Sequence, residues 1–209
     1  MSLILSAIIA AATPSEADIG SLSKPEDRQA LQTFSRCIVQ ERPIEVRAVL
    51  AMDFRAKDYG RRLENVINRF ASCPGLTVPK GVYQAGALFW NGAFSEEMLR
   101  RDKVFERFAE RTAYRPELPA IEARNANEYM AFCVVRTNPD VAAALLRTQV
   151  ATSEEFQALK ALGPTISNCI PKDTKAEFTR DSLRALLAAG AYRLAQHNSR
   201  PSIATRERG

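Results

Sequence analysis

The chain has 209 residues, 46% hydrophobic and 25% charged, proportions that exclude a wholly disordered chain, a collagen and a polytopic membrane protein. Its 29 Lys and Arg against 24 Asp and Glu leave a net charge of +5, spread along the chain rather than gathered in one stripe. The single histidine, His197, removes most His-based metal and acid–base sites.

Leu3 to Ala12 is an apolar run of ten residues. A spanning helix needs about 20, so the run fits the hydrophobic region of a signal peptide instead. Small residues at Ser15 and Ala17 predict cleavage before Asp18, making residues 1–17 the leader. Cleavage after Ala12 is nearly as good a fit. No Lys or Arg precedes the run, and the competing reading is an apolar first helix of the folded domain. No later segment is apolar enough to span, and no cysteine sits at the cleavage site for a lipid anchor. The expected location is periplasmic or secreted.

Residues 18–97 read as a first helical unit. Ser23, Pro25 and Glu26 give a helix start, followed by Leu31, Phe34, Ile38 and Val39 at helical spacing with Cys37 beside them. Pro43 to Met52 is a second, short helix with Val46, Val49 and Leu50 inward, and Asp53 stops it. Tyr59, Leu63, Val66, Ile67 and Phe70 mark a third helix ending at Cys73-Pro74-Gly75. Leu76 to Pro79 is strand-like. Val82 to Phe94 is small and apolar nearly all round, which suits a buried helix; the alternative is a partner-binding groove centred on Tyr83 and Trp90.

Residues 98–124 read as a connection: one helix over Met98 to Arg115, then the Pro116–Pro119 punctuation. Residues 125–197 read as a second unit. Asn125 and Glu128 form a box-like start, Asn138-Pro139 caps a short helix, and Thr152 with Glu155 starts the next. Gly163-Pro164 predicts a kink or early end there. Residues 198–209 read as a frayed basic tail.

The two units are related. Cys37, Cys73, Cys133 and Cys169 fall in two pairs, each 36 apart, with an offset of 96 between pairs. At that offset Val39/Val135, Pro43/Pro139, Ala48/Ala144, Leu50/Leu146 and Leu63/Leu159 also match, seven identities over 37 positions against about two expected from average composition. After the second cysteine the offset becomes 98, where Ala87, Leu88, Gly92 and Ala93 meet Ala185, Leu186, Gly190 and Ala191, and Phe94 meets Tyr192. We read one unit used twice. Of three possible connectivities, repetition selects Cys37–Cys73 and Cys133–Cys169. Each closed loop destabilises the unfolded chain by about 4 kcal/mol and calls for an oxidising compartment. A four-thiolate zinc site and a redox pair are the competing readings; both lack Cys-x-x-Cys spacing.

No nucleophile elbow, zinc helix or phosphate loop occurs, so neither a cofactor nor a metal is expected and no catalytic residue is assigned. Carboxylates are the remaining enzymatic option: Glu41, Asp53, Asp58, Glu96 and Glu97, the last two reading as first-turn acids after a Ser95 cap. Asp58 has a matching acid in Glu154, and both suit a helix N-terminus. Arg61, Arg62 and Arg69 cluster on the third helix. The cations from Arg100 to Arg115 alternate with acids and read as a solvated face, not a nucleic-acid stripe. Tyr83, Trp90, Arg61 and Arg62 are the candidate partner-binding residues, the partner being an unknown protein or envelope component.

The pattern Cys-Ile-Val-x3-Pro-x2-Val-x2-Val-Leu from Cys37 to Leu50, then a helix ending in cysteine, then the apolar Gly86 to Ala93 segment, resembles small exported bacterial proteins of uncharacterised function. They are built from the same two-Cys helical unit. The resemblance covers most of residues 27–195 and implies export and the repeat, with no activity or ligand. The sequence thus predicts an all-α protein of two tandem disulfide-stapled units, each of about four helices with at most one short strand-like segment. Its expected role is exported, non-catalytic partner binding; the alternative is an exported hydrolase with paired carboxylates.

Overall fold

The computed structural model describes residues 24–53, 56–68, 73, 79–83, 85–170 and 178–200, all of them helix or connection, with no strand. The predicted leader, the strand-like residues 76–78 and all of the tail beyond Arg200 lie outside the described residues. In chain order the helices are α1 (Pro25–Glu41), α2 (Pro43–Leu50), α3 (Tyr59–Asn68), the single turn α4 (Lys80–Tyr83), α5 (Ala87–Arg101), α6 (Phe108–Thr112), α7 (Ala126–Thr137), α8 (Pro139–Arg147), α9 (Ser153–Cys169) and α10 (Arg180–Asn198). A 3-10 turn over Val104–Arg107 precedes α6.

Local chemistry sets these boundaries. Proline opens α1, α2 and α8 at the position where a missing N–H costs nothing. Arg42 and Asn138, 96 residues apart, turn the chain with nearly the same backbone, φ −136 and ψ 54 against φ −138 and ψ 64. Their N–H groups bond to the carbonyls of Ile38 and Val134, also 96 apart. Asn125 accepts from the Glu128 N–H at 3.0 Å and Thr152 from the Glu155 N–H at 3.3 Å, the caps expected from the sequence. A Thr179–Ser182 capping box starts α10.

Of the kink or early end expected at Gly163-Pro164 the early end does not occur, and the single helix expected after residue 97 is divided. Helix α9 runs through Pro164 to Cys169 without ending. Gly163 has no Cβ to meet the proline ring, and the burial of Leu159, Leu162 and Ile166 on both sides of the proline holds the helix together. The helix expected over Met98–Arg115 is instead the end of α5, a 3-10 turn and α6. Lys103 breaks it by adopting the left-handed conformation at φ 53. The division drawn after residue 97 falls inside α5.

Helices α5 and α10 pack as the central pair. α1 and α2 lie against α5, and α7 lies against α10 with α8 and α9 behind it. A single apolar core runs through both halves, from Leu31 and Phe34 to Leu194 and Ala195. Cys37 is bonded to Cys73 and Cys133 to Cys169, one disulfide in each half, consistent with two tandem units. Among the described residues no helix is long and apolar enough to cross a membrane.

The central pair depends on Gly92. A Cβ there would stand 2.4 Å from both Cα and Cβ of Ala185, inside contact distance. Gly60 in α3 faces open space. Gly92→Ala is expected to destabilise by about 1–3 kcal/mol through overpacking, whereas Gly60→Ala should gain about 0.5–1 kcal/mol; urea unfolding of the two variants checks both signs.

Candidate functional site

Eight charged side chains alternate in one line across the junction of the halves. Arg36 of α1 pairs with Glu97 of α5 at 3.2 Å, and Glu97 with Arg100 at 2.7 Å. Arg100 meets Glu96 at 2.5 Å, and Glu96 meets Arg184 of α10 at 2.8 Å. Arg184 continues to Glu155 of α9 at 3.1 Å, Glu155 to Arg28 of α1 at 2.8 Å, and Arg28 to Asp181 at 2.5 Å. Four guanidiniums thus face four carboxylates, and the line carries no net charge. Gln32 donates to both Glu96 and Glu97, at 3.0 and 2.9 Å.

Arg184 is the centre of this line. All five of its N–H donors are used: two on Glu96, one on Glu155, and two on the Thr148 hydroxyl and carbonyl. Glu155 is fully buried and also accepts from the N–H of Ala151, the residue before the Thr152 cap, at 3.0 Å. Burial holds the Asp181 carboxyl above its usual range, against the pull of Arg28.

Glu96 and Glu97 are therefore not first-turn acids behind a Ser95 cap. All three residues lie inside α5 and are buried. Charged residues on a core helix survive there because guanidiniums from α1 and α10 reach them. Both oxygens of Glu96 already accept from Gln32, Arg100 or Arg184, leaving neither open to a substrate. Asp58 is partly buried and lowered by its hydrogen bond to Arg62; Glu154 is lowered by a backbone N–H at the start of α9. Glu41 is exposed at the end of α1, and Asp53 follows α2.

Of the candidate partner-binding residues, Trp90 is 1% exposed and packs against Phe34 and Phe94, with ring centroids 6.0 and 5.4 Å away. It is core, because the apolar helix that carries it is covered on all sides. Tyr83 ends α4, and its side chain lies outside the described atoms. Arg61 and Arg62 are exposed on α3, where Arg62 pairs with Asp58 at 3.2 Å.

A cleft of about 880 Å³ opens elsewhere, between the end of α2, the 119–124 connection and the C-terminal half of α10. Such a volume lies within the range of small-molecule sites, about 300–1,000 Å³. Its floor and walls are apolar at Leu50, Pro119, Ile121 and Ala123. Its rim carries Arg47, Arg124, Arg193 and Arg200, and Glu122 is the acid among its lining residues. Arg193, Gln196 and His197 reach it from one face of α10, and Arg200 from just beyond the helix end.

Hydrogen bonds hold the walls together. Arg47 forks onto Asp102, both contacts at 3.1 Å, and donates to Gln196 at 3.2 Å. Arg124 donates to the carbonyls of Met52 at 2.9 Å and Ala51 at 3.1 Å, fixing the connection to α2. Arg193 pairs with Glu128 and lies over the Phe132 ring, 5.3 Å from its centroid. Arg200 makes no ion pair among the described residues. The Tyr192 ring is 3% exposed, and its hydroxyl, beside the Arg47 guanidinium, finds no acceptor for its proton among the described residues, an omission that ordinarily costs about 1–3 kcal/mol. Sequence reasoning missed this cleft because its residues are separated by up to about 150 positions and no local pattern joins them. Comparison with family models, curated proteins and solved structures gives no match.

Two outcomes follow from these surroundings. Arg184→Met leaves Glu96 and Glu155 buried without their shared partner and should cost about 3–5 kcal/mol, read by urea unfolding; a loss below 1 kcal/mol would show that the line is not a structural joint. His197 is held below its ordinary value of 6.5 by burial first and by Arg200 next, while the Pro119 carbonyl pulls the other way. The folded protein therefore binds this proton less readily than the unfolded chain, so the stability contribution is complete above pH 6.5 and falls as the pH drops toward the lower folded value. Between pH 7.5 and 5.5 the wild-type protein should lose more stability than His197→Gln; equal losses would remove His197 as the cause.

Proposed function

We propose that this chain is an exported, non-catalytic helical module that binds an envelope component in the cleft shared by its two halves. The observation that carries the reading is the cleft itself, with α2 on one wall, α10 on the other and the connection between them as its third side. Two disulfides support residence in an oxidising compartment. The apolar Leu3 to Ala12 run and the small residues Ser15 and Ala17 support export, to the periplasm or beyond the cell. The rival hydrolase needs a carboxylate open to substrate. Glu96 and Glu97 instead spend their oxygens on guanidinium and amide donors, which favours the binding reading.

A photo-crosslinking residue at Ala120, on the cleft, and another at Lys160, on the exposed face of α9, separate the possibilities in envelope extracts. Saturable adducts from position 120 and none from 160 are expected, with no turnover in a hydrolase panel. Equal labelling from both positions, or turnover that survives Ala120 substitution, would sink the proposal.

A further inference from the structure

Resting on that reading, we propose that the cleft takes an amphipathic oxyanion, a carboxylate or phosphate head on an apolar body, with the head received by Tyr192 and the surrounding arginines. The argument starts from Tyr192. Its ring occupies the position that Phe94 fills in the first half, 98 residues earlier, and both rings are buried. Phe94 needs no hydroxyl there. Tyr192 has one, the residue lines the cleft, and among the described residues nothing accepts the hydroxyl proton. The neighbouring Arg47 guanidinium can only donate to the hydroxyl oxygen, and the nearby Asp102 carboxylate is taken by Arg47 and Gln196, so the O–H proton is left without an acceptor. Burial pushes this phenol up to about 12, so it stays a donor throughout the physiological range. A ligand that completes the site must therefore bring an acceptor.

The surrounding charge says what kind of acceptor. Arg47, Arg124, Arg193 and Arg200 border the same space, opposed by Glu122 alone among the lining residues. Arg47 and Arg193 are anchored from behind by Asp102 and Glu128, which fixes their positions and leaves less to be ordered on binding. Guanidinium forks match carboxylate and phosphate oxygens. Leu50, Ile121 and Ala123 offer an apolar wall beside that head, so inorganic phosphate alone would leave the rest of the cleft unfilled.

Titration calorimetry on the full chain tests this with decanoate, decyl phosphate, decanol and inorganic phosphate as probes, and with phosphatidylglycerol vesicles against phosphatidylcholine vesicles. Decanoate or decyl phosphate should bind at least tenfold more tightly than decanol or inorganic phosphate, and more weakly as salt rises. Selective vesicle binding would identify a membrane lipid as the source of the head, and binding of the soluble probes alone a free metabolite; either supports the proposal. Tyr192→Phe removes a hydroxyl whose proton has no acceptor among the described residues, so it should leave unfolding stability unchanged or higher while lowering affinity at least fivefold. Arg200→Gln, at an exposed side chain with no ion pair among the described residues, should also weaken binding without unfolding the protein. Decanol binding as tightly as decanoate, or Tyr192→Phe binding as well as wild type, would overturn the oxyanion assignment. Saturable crosslinks from Ala120 with no binding of either anionic probe would overturn it too, while leaving the cleft reading in place; absence of both would overturn the two together.

Discussion

The alternating line from Arg36 to Asp181 is the interaction on which the rest of the molecule depends. It joins α1 and α5 of the first half to α9 and α10 of the second. Taking ions out of water costs several kcal/mol for each, and here every carboxylate is met by a guanidinium and every donor of Arg184 by an acceptor. The line therefore need not add much net stability to matter. It makes other registers of α5 on α10 expensive, since a shift of one turn would strand Glu96 or Arg184 in the core without a partner. The close approach of Gly92 to Ala185 fixes the same register by shape. Charge and packing agree, and the cleft at the other end of α10 inherits its geometry from that agreement.

Much of the fold was legible in the sequence because it is written locally. Proline at a first helical position, Asn125 and Thr152 as caps, and the periodic apolar residues each act within about one turn. The cysteine spacing was legible for a different reason: repetition converts a pairing problem with several solutions into one with a favoured solution. The failures also have physical causes. A Gly-Pro pair ends most helices, but α9 keeps buried side chains on both sides of Pro164. Lys103 adopts a left-handed conformation that nothing in its own chemistry announces.

The functional surface was harder to read. An amphipathic pattern assumes that charge faces water, and Glu96 and Glu97 break that assumption through partners as far as 88 residues away. A hint was present, since two acids interrupt an otherwise small and apolar helix, but the hint does not name Arg184. The cleft is less legible still. Arg47, Arg124 and Arg193 belong to three different segments, and only the folding of the connection over α2 brings them to one rim. Tyr192 was visible as the counterpart of Phe94; its unanswered hydroxyl became visible only with the surrounding atoms in place.

The disulfides have a consequence for how the chain is made. Each bond joins cysteines that are consecutive in the sequence. A chain that emerges N-terminus first presents Cys37 and Cys73 before Cys133 appears, and Cys169 last. Oxidation in order of arrival therefore gives the native pairing directly, and thiol–disulfide exchange, which proceeds through mixed disulfides, is not required to correct it. A chain delivered in that order would need an oxidant but no reshuffling to reach this pairing, and its first half could close before the second arrived.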